Sequence, residues 1–80
     1  MHETRLLEKI FQYLEKEEKK LGSKRIKKVY ISLSEFGGIK EEHFGMHFNE
    51  AAMGTKWKSL KLEIKKIPFG PEIEITKLDF

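Results

Sequence analysis

The chain has 80 residues, no cysteine, and sixteen Lys or Arg against thirteen Asp or Glu, a formal charge of +3 at pH 7. That length makes one small domain, and the missing cysteines exclude disulfides, zinc fingers and thiol chemistry. No signal peptide and no apolar run long enough to span a bilayer is evident, so a soluble cytoplasmic protein is expected.

Residues 4–21 carry Leu6, Leu7, Ile10, Phe11, Leu14 and Leu21 at helical spacing, with Glu15 and Lys19 as an i,i+4 pair on the wet face. Gly22 is placed to end this helix, and Glu3 lies in its first turn, where a carboxylate favours the dipole. Residues 27–34 alternate Val29, Ile31 and Leu33 with Tyr30, Ser32 and Ser34, a strand broken by Gly37-Gly38. A second helix is expected over residues 40–53, with Phe44, His47, Phe48 and Ala51 on one stripe and Gly54 closing it.

Two strands finish the chain, Leu60, Leu62 and Ile64 facing one way in the first and Ile73 and Ile75 in the second. Leu78 and Phe80 fall out of phase with Ile73 and Ile75, which predicts a bulge near Thr76-Lys77. Pro68-Phe69-Gly70-Pro71 reads as the turn of a closing hairpin. The order α-β-α-β-β gives a right-handed β-α-β crossover with parallel strands and an antiparallel last strand. The expected fold is α+β, two helices packed on one face of a three-stranded mixed sheet.

Chemistry concentrates at the start. Met1-His2-Glu3 brings an α-amine, an imidazole and backbone amide nitrogens within reach of one metal ion. Methionine is trimmed only before a small residue, so Met1 is expected to be retained before His2. A helix N-terminus disfavours a cation beside it, and deprotonated amides together with Glu3 offset that repulsion.

Met1-His2-Glu3 before the first helix, Ser34-Glu35 at a strand end, Gly54-Thr55 after the second helix and Lys77-Leu78-Asp79 in the last strand resemble one family along the whole chain. They resemble the nickel-binding domain of HypA-type metallochaperones, which serve nickel-iron hydrogenase maturation and, in some organisms, urease. The resemblance implies a non-enzymatic nickel carrier. Ni(II) would be bound transiently by the Met1 amine and the His2 imidazole, with the amides of His2 and Glu3 as further donors and the Glu3 side chain orienting or ligating. Deprotonated amides and imidazole suit square-planar Ni(II). The partners it implies are a GTPase of the nickel-insertion pathway and the hydrogenase large-subunit precursor, with no membrane.

Two departures stand out. Family members insert a zinc domain with two Cys-x-x-Cys pairs between what are here the last two strands. This chain has only the turn at residues 68–71, so residues 1–80 read as a single nickel-binding domain with no structural zinc. Some members also carry an acidic residue at the start of the second helix, where this chain has Lys40 followed by Glu41 and Glu42.

Other features have plainer readings. His43 and His47 have the i,i+4 spacing of a metal pair, but no carboxylate completes H-E-x-x-H, and a surface histidine beside a half-buried one accounts for them. Met46 and Met53 read as core filler. Lys24, Arg25, Lys27 and Lys28, with Lys56, Lys58 and Lys61, read as a solvated rim. No stacking platform or RNA motif accompanies them, so nucleic acid is not an expected partner. Trp57 suits either a partner surface or a cap on the sheet.

Two alternatives to a nickel carrier remain. One is an interaction module that has lost metal delivery, and the other is nucleic-acid binding through the lysine-rich face. Exposed sheet edges also leave room for a homodimer.

Overall fold

The computed structural model describes residues 3–80, with side chains from Arg5 onward. Helix α1 spans Glu3–Lys20, strand β1 Lys28–Ser34, helix α2 Glu41–Ala52, strand β2 Lys61–Ile67 and strand β3 Ile73–Asp79. The sheet order is β2-β1-β3, with β1 parallel to β2 and antiparallel to β3. This is the α+β architecture expected from the sequence, with the crossover helix α2 joining the parallel pair.

One arrangement differs from expectation. β3 does not form a hairpin with β2 but pairs with the other edge of β1. Residues 68–72 therefore pass across the end of β1. Ser34 N–H donates to the Glu72 carbonyl at 3.1 Å, and Glu35 N–H donates to the Ile67 carbonyl at 2.7 Å. The physical reason lies in β1 itself. Val29, Ile31 and Leu33 are essentially sealed from solvent, and a central position pairs both sides of the backbone of this most apolar strand. Lysine-bearing β2 takes an edge, where charge protects against unwanted pairing.

The bulge falls where the phase change predicts it. Ile31 pairs with Ile75 and Tyr30 with Lys77, leaving Thr76 extra. Its Oγ1 donates to the Tyr30 carbonyl at 3.3 Å. Skipping one residue returns Leu78 to the core side, opposite Val29.

Both helices enter one core. Leu6, Leu7, Ile10 and Leu14 of α1 meet Phe44, Phe48 and Ala52 of α2 over Val29, Ile31 and Leu33. Phe11 bridges the helices, its ring centroid 5.2 Å from Phe48 and 6.3 Å from Trp57. Trp57 is buried, which makes it a core residue rather than a partner surface. The α2 stripe continues to Ala52, while Ala51 and Met53 are exposed. Stepping by four from Phe44 and Phe48 reaches 52, so the helical period favours Ala52. Leu21 lies outside the core, beyond the end of α1.

α1 ends in a Schellman arrangement. Gly22, at φ 71°, donates to the Lys19 carbonyl, and Ser23 donates to the Glu18 carbonyl at 2.8 Å. The same Glu18 buries its side chain. Oε2 accepts from Ile26 N–H at 2.8 Å, and Oε1 accepts from Lys56 Nζ at 3.0 Å. Lys56 also ion-pairs with Glu15, so Glu15 reaches across to the turn after α2 rather than relying on Lys19 one turn away.

The outer face of the sheet is a set of paired charges around Tyr30. Its hydroxyl donates to Asp79 at 2.7 Å, and Lys28 and Lys77 place their ammonium groups 4.7 and 5.1 Å from its ring centre. Lys28 also meets Glu63 at 2.9 Å.

Two predictions follow from this packing. Glu18→Ala leaves the buried Ile26 N–H unpartnered and should lower unfolding stability by about 2–3 kcal/mol. Glu18→Gln retains an acceptor oxygen there and should lose about 1 kcal/mol, both values read by urea denaturation. Equal losses for the two variants would remove the assigned role of the Ile26 hydrogen bond.

The second concerns pH. The Tyr30 hydrogen bond, followed by Lys77, holds the Asp79 carboxyl below its ordinary 3.8, and Lys56 holds Glu15 below 4.5. Glu15 and then Glu18 raise Lys56 above 10.5, and Glu63 raises Lys28. A depressed carboxyl stabilises fully above its ordinary value, and that contribution is lost as pH falls through the folded one. A raised ammonium stabilises fully below its ordinary value, and that contribution is lost as pH rises through the folded one. For these four groups the melting temperature should be level between about pH 5.5 and 9.5 and fall on both sides. Tyr30→Phe should flatten the acid limb below about pH 4, and an unchanged limb would refute the role given to Tyr30.

Candidate metal centre

Of the sequence-predicted ligands, Met1 and His2 lie outside the described residues. Glu3 enters as the first residue of α1, and its side chain lies outside them as well. The structure does specify where α1 delivers that start. β1 and β2 are parallel, so α2 must run back against them, and its first turn lies at the end of the sheet where β1 finishes. The C-terminal end of α1 is tied to the opposite end, where Glu18 meets Ile26 just before β1. Both helices therefore run in the same sense, with their N-termini at one end of the molecule.

Side-chain contacts set the level. Phe11 packs at a tilt against Phe48, and Leu7, Glu8 and Phe11 share a groove with His47, Glu50 and Ala51. One turn further back along each helix, Glu3 comes level with the start of α2. That start comprises Lys40 as N-cap, Glu41 and Glu42 in the first turn, and exposed His43. Lys40 makes no side-chain capping hydrogen bond, and Glu41 and Glu42 supply the negative charge that the helix dipole favours. The described start of α1 and the first turn of α2 thus lie at the same end of the molecule. Among the described residues no three His, Asp or Glu side chains converge as a metal-binding group.

The other residues of the resemblance resolve into structural roles. Gly54 takes φ 78°, conformational freedom that a side chain would strain. Thr55 Oγ1 donates to the Ala52 carbonyl at 2.6 Å and accepts from Trp57 N–H at 3.0 Å. That turn seats Trp57 in the core and sets Lys56 over its ring and onto Glu18. Asp79 and Lys77 grip Tyr30, and Ser34 and Glu35 hold the link to β3.

Residues that sequence reasoning missed are mainly tertiary. Glu18 appears in the sequence as one of several wet-face carboxylates, and only the fold buries it. The basic residues separated in sequence do meet: Arg25, Lys27, Lys28, Lys56 and Lys61 surround one pocket over Ile26, Trp57 and Leu60. Asp79 lines the same pocket, while Lys28 and Lys56 are already paired with carboxylates.

The comparisons with known proteins agree with one another. Residues 1–72 match the family described as hydrogenase/urease nickel incorporation, metallochaperone, hypA. The fold is similar to the solution structure of the Ni metallochaperone HypA from Helicobacter pylori, with a TM-score of 0.81. That similarity covers 99% of this chain and 97% of that one at 15% sequence identity, a likeness of fold. No curated protein matches the chain. A family match spanning most of the chain, from the Met-His-Glu start through the core to the link before β3, shows that the chain belongs to the HypA family of hydrogenase/urease nickel-incorporation metallochaperones, carriers rather than enzymes.

Proposed function

We propose that this protein chelates Ni(II) at its N-terminus and passes it on during nickel-iron hydrogenase maturation. The observation that carries the reading is the family match beginning at residue 1, which includes Met1-His2-Glu3 in the matched region. The Met1 amine, the His2 imidazole and the amide nitrogens of His2 and Glu3 make an all-nitrogen set suited to square-planar Ni(II), with the Glu3 carboxylate orienting or ligating. Binding of this kind releases protons, because the terminal ammonium and the amides must each give up a proton, while the imidazole coordinates in its neutral form.

A carrier must also let go. A chelate built on the first residues of a chain opens by local motion of that end, without disturbing the core that fixes α1. The receiving partners on this reading are the GTPase of the nickel-insertion pathway and the hydrogenase large-subunit precursor. The short link at residues 68–71 occupies the place of a zinc module, so residues 1–80 act as a nickel domain without structural zinc. The β2 and β3 edges are the surfaces through which a homodimer would form.

Nucleic-acid binding is disfavoured by the outer sheet face. Its central aromatic, Tyr30, is held between two ammonium groups and an aspartate, and Lys28 already meets Glu63. No helix among the described residues is long and apolar enough to cross a membrane. A second reading, an interaction module that has lost metal delivery, rests on the missing cysteines and on Lys40 at the start of α2, where some family members carry an acid.

Calorimetric titration with Ni(II) separates these readings. The protein with a free N-terminus should bind, and His2→Ala should weaken that binding about tenfold or more, a difference of at least 1.4 kcal/mol. An N-terminal extension should abolish the terminal site, and a C-terminal one should leave it intact. Equal affinities for the wild type and His2→Ala would overturn the proposal, and partner binding without nickel affinity would establish the interaction module.

A further inference from the structure

The only paired imidazoles among the described residues are His43 and His47, one helical turn apart on α2. Their ring centroids are 6.4 Å apart and the planes are inclined by 31°. A metal at about 2.1 Å from an imidazole nitrogen lies roughly 3 Å from that ring's centre, so two rings sharing one ion have centroids about 4.5 Å apart when cis. The gap to be closed is about 2 Å. His43 is exposed and free to turn about its side-chain bonds, so the closure requires no movement of backbone or core.

The surroundings favour a cation. His47 shares its groove with the carboxylates of Glu8 and Glu50, and His43 lines a second groove with Glu41 and Glu42. Against these four carboxylates stand the ammonium groups of Lys40 and Lys66. The two grooves flank the α2 segment beside which α1 begins.

We propose that His43 and His47 form a second, weaker Ni(II) site, completed by water, close to the terminal chelate. Two neutral imidazoles with open positions suit a tetragonal N,O environment for Ni(II). Fewer protein donors and no deprotonated amide make this site weaker and faster to exchange than the terminal one. Its place beside the start of α1 gives nickel a holding point on the way into or out of the terminal chelate. The choice of nickel rests on the function proposed above, while the two-imidazole geometry stands by itself.

Titration with Ni(II) of the protein carrying an N-terminal extension isolates this site. One binding event should remain, about tenfold or more weaker than that of the free terminus. It should disappear in His43→Ala, an exposed position whose replacement leaves the core untouched, and selective broadening of the His43 and His47 imidazole proton resonances by Ni(II) should report the same site. Identical titrations for the extended wild type and extended His43→Ala would overturn the inference, whatever the terminal site does. Loss of the residual event in His43→Ala, with no effect of His2→Ala on the free-terminus protein, would support it while refuting the terminal chelate.

Discussion

The buried carboxylate of Glu18 fixes the rest of the molecule in relation to its N-terminus. One oxygen holds the backbone just before β1 and the other holds Lys56 after α2, so three segments distant in sequence meet at one residue. Burying a carboxylate is costly unless it is paired and hydrogen-bonded, and Glu18 has both. The consequence is felt far along α1. A helix of 18 residues extends about 27 Å at 1.5 Å per residue, so a small change in its angle at Glu18 would sweep its first turn across the surface. Phe11, tilted against Phe48 and stacked on Trp57, supplies the second point that turns a hinge into a fixed line.

Much of this architecture is legible in the sequence because it obeys a simple period. The 3.6-residue repeat of Leu7, Ile10, Phe11 and Leu14 finds α1, and alternation finds β1. The same alternation, broken between Ile75 and Leu78, even locates the bulge. The position of β3 is different. A Pro-Phe-Gly-Pro turn reads as a hairpin by local chemistry, yet five linking residues reach just as well across one intervening strand, and the choice belongs to the burial of β1. Glu18 and the Glu15–Lys56 pair are invisible for a related reason. Nothing local distinguishes these acids from Glu8 or Glu17, and their partner is some forty residues away.

The family resemblance divides along the same line. Gly54-Thr55 shapes a turn, Lys77 and Asp79 grip Tyr30, and Ser34-Glu35 secures a link. These residues define the domain without touching metal. The chemistry proposed above belongs to Met1, His2 and Glu3, of which the described structure includes only the α1 backbone at Glu3. The candidate site is thus readable from residue type, whereas its setting is readable only from the fold.

That setting has an electrostatic logic. Two helices pointing their N-termini to one end bring two partial positive charges to that end, which works against binding a divalent cation there. The sequence answers with acids in that neighbourhood: Glu3 on α1, and Glu41 and Glu42 on α2. Of the basic residues, Arg25, Lys27 and Lys61 gather at the opposite end, over Trp57 and Leu60, whereas Lys40 and Lys66 line a groove with Glu41, Glu42 and His43 at this one. The long dimension of the protein is 37 Å, well beyond the Debye length of about 8 Å in physiological salt, so basic residues at the far end repel a cation at this end only weakly. A net charge of +3 is therefore compatible with carrying a cation, because part of the basic excess lies far from the start of α1 and the nearer Lys40 and Lys66 stand among carboxylates.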